Sequence, residues 1–156
     1  GKAPLRILVD LGAAPEAVDL ALAKGARLDA RDRYSATALL AALKSGQLDM
    51  ASKLASAGAD LFAADKDGAT PVSVAVALDA AAAQAALKAI LGTDRINAAD
   101  PAGDSVLHYA ARAGKPEAAA WLLAAGADKS ARNLLGETAA DLAAKRGYGD
   151  LAASLK

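Results

Sequence analysis

Apolar and polar residues follow one another in short blocks that recur along the chain. The apolar-rich run Val106 to Ala113 ends at Gly114, and a second run, Pro116 to Ala125, ends at Gly126. Each run has the length of a short helix, and a glycine directly after it is typical of a helix C-terminus. The stretch Ala127 to Glu137 then predicts an extended turn. The pattern thus predicts a helix, a short turn, a second helix and a loop.

This block occurs five times. Residues at one corresponding position, which serve as anchors, lie 34, 33, 35 and 33 residues apart: Ala3, Thr37, Thr70, Ser105 and Thr138. A fixed period in this range is typical of stacked repeats, each of which cannot bury its apolar face alone. We therefore predict an all-α repeat solenoid of helix-turn-helix units, forming a single domain over residues 1–156. Its repeats run approximately over residues 1–34, 35–67, 68–102, 103–135 and 136–156.

Capping residues give the predicted helix ends. Thr or Ser at the anchor suits a helix N-cap, because its hydroxyl accepts from free backbone N–H groups of the first turn. Pro71 suits the first helical position, where the missing N–H costs nothing. In the second repeat the same reasoning predicts helices over residues 37–45 and 48–57.

The third and fifth repeats depart from this plan. The third has Asp79, followed by four alanines, where a helix-ending glycine is expected, and it gains one residue in its helical part and one in its loop. Insertions in repeats map to turns on one face, so the change is either tolerated drift or a local bulge that shapes a partner site. The fifth repeat ends in a short polar helix, which is typical of a terminal cap.

The amino-acid composition excludes several kinds of binding site and partner. The 18 basic and 18 acidic residues give a net charge of zero, which argues against broad electrostatic capture of nucleic acid or an anionic membrane. The chain has no cysteine and one histidine, which excludes disulfides, thiolate metal sites and sites with two imidazoles. No apolar run approaches the length of about 18 residues that would span a bilayer. We expect a soluble monomer of the cytoplasm or periplasm, and the alanine-rich composition is associated with bacterial, GC-rich sources.

Catalytic motifs are missing from the sequence. It contains no glycine-rich phosphate loop, no Gly-x-Ser-x-Gly elbow and no His-Glu-x-x-His helix. A catalytic His108 would need a base, a nucleophile or a metal partner close by. We therefore expect no enzyme activity, no cofactor and no metal site.

Aspartates recur in the loops, with Asp32, Asp65 and Asp100 at loop starts. Short Asp side chains at turns hydrogen-bond nearby backbone, and their regular recurrence favours one structural role carried out several times. The alternative is calcium binding, since the run 65–68 (Asp-Lys-Asp-Gly) resembles a fragment of a calcium loop, but it lacks the later bidentate Glu.

The densest basic and aromatic cluster consists of Arg27, Arg31, Arg33 and Tyr34. Such a cluster is able to bind phosphate or RNA. Two aspartates interleave with it, which favours a solvated hairpin or part of a protein interface. Nucleic-acid binding through this cluster is the alternative.

Two loops carry the most recognisable motifs. The run 65–72 reads Asp-Lys-Asp-Gly-Ala-Thr-Pro-Val, and the run 100–111 contains Ser-Val-Leu-His-Tyr-Ala-Ala, with Gly126-Ala127-Asp128 closing that repeat. These motifs resemble the ankyrin repeat family over nearly the whole chain, although Ser35 and Asn133 replace the family's loop Gly and Asp. The resemblance implies paired antiparallel helices joined by β-hairpin loops. It also implies that His108 hydrogen-bonds the backbone of a neighbouring loop.

The resemblance further implies a concave, partner-binding face made of hairpin tips and first helices. Leu134 and Leu135 stand out on it, because the fold does not need apolar residues at a hairpin tip; the alternative is that they pack under the next hairpin. The family arrangement places these exposed protein-binding residues on the face: Arg33, Tyr34, Lys44, Lys66, Asp67, Leu78, Pro101, Asp104, Arg112, Leu134, Leu135, Glu137, Lys145 and Arg146, with Ala36 in the same row.

These observations predict a non-catalytic protein–protein interaction module that binds a partner protein through this face, without nucleic-acid binding or membrane insertion. The alternative is a regulatory or targeting segment of a larger enzyme or effector whose chemistry lies outside this chain. The start of the sequence inside a repeat motivates that alternative.

Overall fold

The computed structural model describes residues 4–156, and the anchor at Ala3 lies outside the described residues. Ten α-helices and no strand form in this part of the chain, which confirms the all-α repeat fold. They are α1 Pro4–Asp10, α2 Ala17–Ala23, α3 Ala38–Lys44, α4 Leu48–Ser56, α5 Pro71–Ala77, α6 Ala80–Leu91, α7 Val106–Arg112, α8 Pro116–Ala124, α9 Ala139–Lys145 and α10 Gly149–Ser154.

The helices begin and end where the capping residues predict. Thr37 is the N-cap of α3, and its hydroxyl oxygen accepts from the Leu40 N–H at 3.3 Å. Pro71 and Pro116 are the first residues of α5 and α8. Gly114 follows α7 with a φ of +63°, a left-handed conformation that favours glycine. Local chemistry therefore sets these boundaries, whereas α2, α4 and α10 begin without a side-chain cap.

The loops that precede the first helix of each repeat close as tight hairpins. The N–H of residue 32, 65, 100 or 133 donates to the carbonyl four residues later, at 3.0–3.1 Å in all four loops. The fourth residue of each loop has a positive φ: Ser35, Gly68, Gly103 and Gly136. This is the arrangement of a three-residue hairpin loop with a left-handed residue. The extended part is minimal, since Ala99 and Ser105 form only an isolated bridge.

The chain divides into two compact units. Of the described residues, the first unit contains 4–75 and 85–92, and the second contains 76–84 and 93–156. In the first unit α3 packs against α4 and α1; in the second α7 packs against α8 and α9, and α9 against α10. Each core is made of leucine, valine and isoleucine between many small alanines. The single domain over residues 1–156 stays a prediction.

The third repeat shows how a helix end is completed without glycine. Asp79 lies at the position of the missing glycine, and its carboxylate accepts from the Ala82 N–H at 3.0 Å at the start of α6. The last carbonyls of α5 are bound instead by Lys115, whose Nζ donates to the Ala77 oxygen at 2.9 Å. Because α6 has 12 residues whereas α4 and α8 have nine, the residue added in the helical part of this repeat lies in its second helix.

Candidate protein-interaction surface

The loop carboxylates organise the hairpins from within. One oxygen of Asp65 accepts from the N–H groups of Asp67 and Ala69, at 3.0 and 2.9 Å. Asp32 and Asp100 make the same pair of bonds two and four residues ahead. The structural role predicted for these aspartates is confirmed. Asn133 makes the same two bonds through its amide oxygen, both at 3.0 Å.

The second carboxylate oxygen of each loop aspartate binds a side chain from a first helix. Lys44 Nζ lies 2.7 Å from Asp65, and this bond lowers the pKa of Asp65 against the opposing effect of burial. Arg6 binds Asp32 at 2.7 Å. The Tyr109 hydroxyl donates to Asp100 at 2.9 Å; burial, and then this bond, raises the pKa of Tyr109. Hairpins are therefore fastened to helices by charged or polar pairs.

Backbone hydrogen bonds join neighbouring hairpin tips. In the first compact unit the Lys66 N–H donates to the Tyr34 carbonyl at 3.0 Å. In the second unit the Leu134 N–H donates to the Ala102 carbonyl at 2.9 Å. Each bond fixes the tip of one hairpin against the next, so the side chains at these tips stand on a rigid support.

An open groove of about 740 Å³ lies in the first compact unit. Four of the five predicted residues of this unit line it: Tyr34, Lys44, Lys66 and Asp67. The fifth, Arg33, places its guanidinium over the Tyr34 ring, 4.8 Å from the centroid. The structure thus brings these five positions together.

The side chain of the neighbouring Arg31 is hydrogen-bonded to the backbone of two loops. Its guanidinium donates to the carbonyls of Ser35 and Ala64, at 3.1 and 2.5 Å. Arg31 therefore fastens one loop to the next. Arg33 in turn lies on the Tyr34 ring. Two of the three arginines of the basic cluster therefore already have partners within the protein.

Leu134 and Leu135 are exposed at the tip of the hairpin in the second unit. Their exposed fractions are 79% and 81%, so packing under another hairpin is ruled out in this structure. Pro101 and Ala102, on the adjoining tip, are also exposed. The two tips together form a patch of four apolar residues, 101, 102, 134 and 135, which we name the tip patch.

Asp104 corrects one prediction. The residue before each anchor was expected to be exposed, but Asp104 is only 5% exposed and Ala36 only 7%. Side-chain partners in the next loop and on α7 hold Asp104 inward. Asp104 binds Arg112 and accepts from the Asn133 amide at 2.9 Å. Burial raises the pKa of Asp104, but the bonds from Asn133 and Arg112 outweigh it, so the pKa lies below its ordinary value.

The corresponding pair in the fifth repeat joins Glu137 to Lys145. The bond from Lys145, supported by the Asn133 amide, lowers the pKa of Glu137. The Glu137 side chain is 14% exposed, whereas that of Lys145 is 65% exposed. Arg146, the next residue, is exposed as predicted. In the fifth repeat, the side chains of Lys145 and Arg146 thus extend into solvent, whereas the Glu137 carboxylate does not.

His108 has the structural role that the ankyrin resemblance implies. It is 1% exposed, and its Nε2 lies 3.0 Å from the carbonyl oxygen of Glu137 in the next loop. Because a carbonyl only accepts, Nε2 carries the proton, and Nδ1 accepts from the Ser105 N–H at 3.2 Å. Both ring nitrogens are used by the fold.

Leu78 is partly buried and lines a small pocket beside Lys115 rather than the tip patch.

Sequence reasoning missed several side chains that shape these surfaces. Arg6, Asp10 and Gln47 line the groove of the first unit, and Asn133 lies at the centre of the second. Asn133 carried a signal, because it replaces a recurrent aspartate. Arg6 and Gln47 give no such signal, since their partners Asp32 and Val9 lie 26 and 38 residues away in sequence. Asp10 pairs with Arg6 four residues away on the same helix, an ordinary helix pair that marks no surface.

Within residues 4–156, no group of three or more histidine, aspartate or glutamate side chains is placed to hold a metal ion. No helix of this part of the chain is both long and apolar enough to cross a membrane.

Comparison with known families identifies the architecture. Residues 78–156, slightly more than half of the chain, match the model of the ankyrin repeats (3 copies). The chain belongs to the ankyrin repeat family. Ankyrin repeats are generally protein–protein interaction modules, and the family is typically non-catalytic.

Proposed function

We propose that this protein is a non-catalytic, monomeric interaction module that binds a partner protein through its hairpin tips and the ends of its first helices. The observation that carries the proposal is the exposure of Leu134 and Leu135, at 79% and 81%, on a hairpin held by backbone and side-chain bonds. Exposed leucines on a rigid loop add nothing to folding. They contribute to binding, because a preorganised surface loses little conformational entropy when a partner docks.

The groove of the first unit supports the same function. Tyr34 is 55% exposed and lies beside Lys66 and Asp67 at the groove rim. Tyrosine and arginine are enriched among the residues that dominate binding energy at interfaces. Tyr34 with Arg33 is therefore the proposed anchor in this unit.

The test is a quantitative affinity capture from a lysate of the source organism. The baits are the wild type, the variant Tyr34→Ala/Leu134→Ser/Leu135→Ser, and the control Leu11→Ser/Leu20→Ser, which makes the same change at leucines that are 75% and 64% exposed elsewhere. Circular dichroism establishes that all three fold. A captured protein is then purified and titrated calorimetrically against each bait.

We expect the triple variant to raise the Kd at least about tenfold, since anchors of this kind dominate interface energies. The control should stay within about twofold of the wild type. Equal weakening of both variants would reject the proposed face. Absence of any captured protein would favour a regulatory or targeting segment of a larger protein, which the full reading frame would then test.

Nucleic-acid binding through the basic cluster predicts a different result. It would appear as salt-dependent retardation of RNA or DNA that is lost in Arg27→Ala/Arg33→Ala. We expect no such retardation, because Arg31 is bound to backbone carbonyls and Arg33 lies on Tyr34.

A further inference from the structure

We infer that the outer side of α1 and α2 is a repeat–repeat interface, and that its occupant is a further ankyrin-type helix pair located upstream on the same polypeptide. Apolar side chains stand open on this side: Ile7 and Leu20 are exposed and Leu8 is partly exposed. The occupant is not the partner of the proposed function, so either statement can hold without the other.

Each repeat reaches back to the repeat before it through one side of its helices. In the first compact unit, Lys53 Nζ on α4 lies 2.7 Å from the Asp19 carboxylate on α2. The Gln47 amide, directly before α4, donates to the Val9 carbonyl of α1 at 2.9 Å. These contacts define the side of a repeat that faces its predecessor.

Leu20 stands on this backward side of α2. It precedes Gly25 by the same number of residues as Lys53 precedes Gly58, so the two side chains occupy corresponding positions. Lys53 contacts the helix of the preceding repeat, whereas Leu20 is 64% exposed. The first repeat therefore presents a free apolar side chain where the second repeat makes its contact.

The same difference is found on α1. Counted from the anchors, Ile7 corresponds to the buried Ala41 and Leu142 and to the partly buried Val74 and Tyr109, yet Ile7 is 42% exposed. Leu8 is partly exposed, whereas its four counterparts are fully buried alanines: Ala42, Ala75, Ala110 and Ala143. Positions that are covered in the later repeats are thus open in the first.

The occupant follows from the way in which the later repeats are covered. In the first compact unit α3 packs on α1, and in the second α9 packs on α7, in each case the first helix of the repeat immediately upstream. Continuity of this interface assigns the open side of α1 and α2 to an upstream helix pair rather than to a second copy of the chain. Because Leu8 is larger than its alanine counterparts, we expect a small residue opposite it.

The forward side of the fifth repeat has the opposite character. Asp141 holds the position that the buried His108 holds in the fourth repeat, but Asp141 is exposed and its carboxylate accepts from the Thr138 N–H at 2.9 Å. A polar outer face is typical of a terminal cap in a repeat protein. Ile7 and Leu20 give the side of α1 and α2 the character of an interface instead.

The experiment is thiol labelling of the full translated chain of the source organism beside the 156-residue chain. Because the 156 residues include no cysteine, Ile7→Cys, Leu20→Cys and Leu11→Cys each introduce one thiol at a known place. Reaction with N-ethylmaleimide is followed by mass spectrometry of the peptide that carries the thiol, so thiols elsewhere do not interfere. Circular dichroism establishes that each variant folds.

Leu11→Cys is the matched control on the same helix end. Leu11 is 75% exposed, and three of its counterparts in the later repeats stay exposed although those repeats are covered: Ser45, Ala113 and Arg146. In the full chain the thiols at residues 7 and 20 should therefore react at least about tenfold more slowly than in the 156-residue chain, while the thiol at residue 11 stays within about twofold.

Four results would overturn the inference. They are a full chain without an upstream helix pair, equal rates at residues 7 and 20 in both proteins, and protection of residue 11 together with the other two, which would mean a differently placed occupant. The fourth is protection within the 156-residue chain that grows with its concentration, which would favour a second copy. None of them bears on the capture that depends on Leu134 and Leu135, so the proposed function is tested separately.

Discussion

Asn133 donates a hydrogen bond from its side-chain amide to a carboxylate oxygen of Asp104, 2.9 Å away, and both side chains are buried. Each residue is an exception to the repeats that precede it, and Glu137 later occupies the same position as Asp104. The loop starts at residues 32, 65 and 100 carry aspartate, and the residues before the anchors Thr37 and Thr70 are alanines. The two exceptions are matched, because an amide in place of a carboxylate supplies the donor that a buried Asp104 needs.

Asn133→Asp should destabilise the protein by about 2–3 kcal/mol at neutral pH, because a donor to a charged group is lost and a third carboxylate joins Asp104 and Glu137. The deficit should shrink as the pH falls toward 4, since the new carboxyl has a raised pKa in the folded state and its protonation relieves the repulsion. Urea unfolding of wild type and variant between pH 4 and 8 measures both effects.

The double variant Asp104→Ala/Asn133→Asp is the matched control. It restores the combination of alanine and aspartate present at residues 36 and 65. We expect it to recover most of the stability lost in Asn133→Asp. A double variant that is less stable than Asn133→Asp would show that Asp104 is not the residue that requires the amide.

Ser35→Gly should stabilise the protein by about 0.5–1 kcal/mol. Ser35 has a φ of +60°, the one positive φ of a non-glycine residue in the described chain. A left-handed L-residue costs about 1–2 kcal/mol, of which glycine's greater unfolded-state entropy returns part. The reverse change, Gly68→Ser at a φ of +79° with open space around it, should destabilise by a similar amount. Thermal and urea unfolding test the pair, and a neutral Ser35→Gly would contradict the strain.

Gly114→Ala should cost more stability than Gly46→Ala, although both residues follow a first helix with positive φ. At Gly46 nothing lies within 4 Å of an added Cβ, so the cost is the backbone term of about 1 kcal/mol. At Gly114 the Cβ would lie 2.5 Å from the Tyr148 ring, which adds about 1–3 kcal/mol of overpacking. In a Tyr148→Ala background the cost of Gly114→Ala should fall to that of Gly46→Ala, as measured by urea unfolding. An undiminished cost there would rule out the ring contact as its source.

Lys44→Met should raise the pKa of Asp65, because the Lys44 bond is the largest cause that holds this pKa below its ordinary value of 3.8. A carboxyl with a lowered folded-state pKa stabilises the fold above its unfolded pKa, and this contribution is lost as the pH falls through the folded-state value. Carboxyl ¹³C titration by NMR measures the pKa directly. Lys66→Met, which removes an adjacent exposed lysine, should leave it unchanged; equal shifts in both variants would mean that the general field, not the bond, sets the value.

Features set by neighbours in sequence could be predicted. The N-cap at Thr37, the loop bonds of Asp65 and the positive φ of Gly114 each follow from chemistry within a few residues. The burial of Asp104 was missed because it depends on a partner 29 residues away. Alignment of the repeats against each other would have paired the exceptions at 104 and 133. The N-cap role of Asp79 was also readable, since Asp before an alanine run is a helix start signal.

Lys115 makes the third and fourth repeats dependent on each other. In most repeats a glycine with a positive φ ends the first helix, so the helix end depends only on residues of the same repeat. The last carbonyl of α5 instead accepts a hydrogen bond from the ammonium group of Lys115, 38 positions later. A protein engineer who transplants or deletes single repeats of this chain would therefore have to move Asp79 and Lys115 together, and any shuffled array that separates them would leave two carbonyls without their partner.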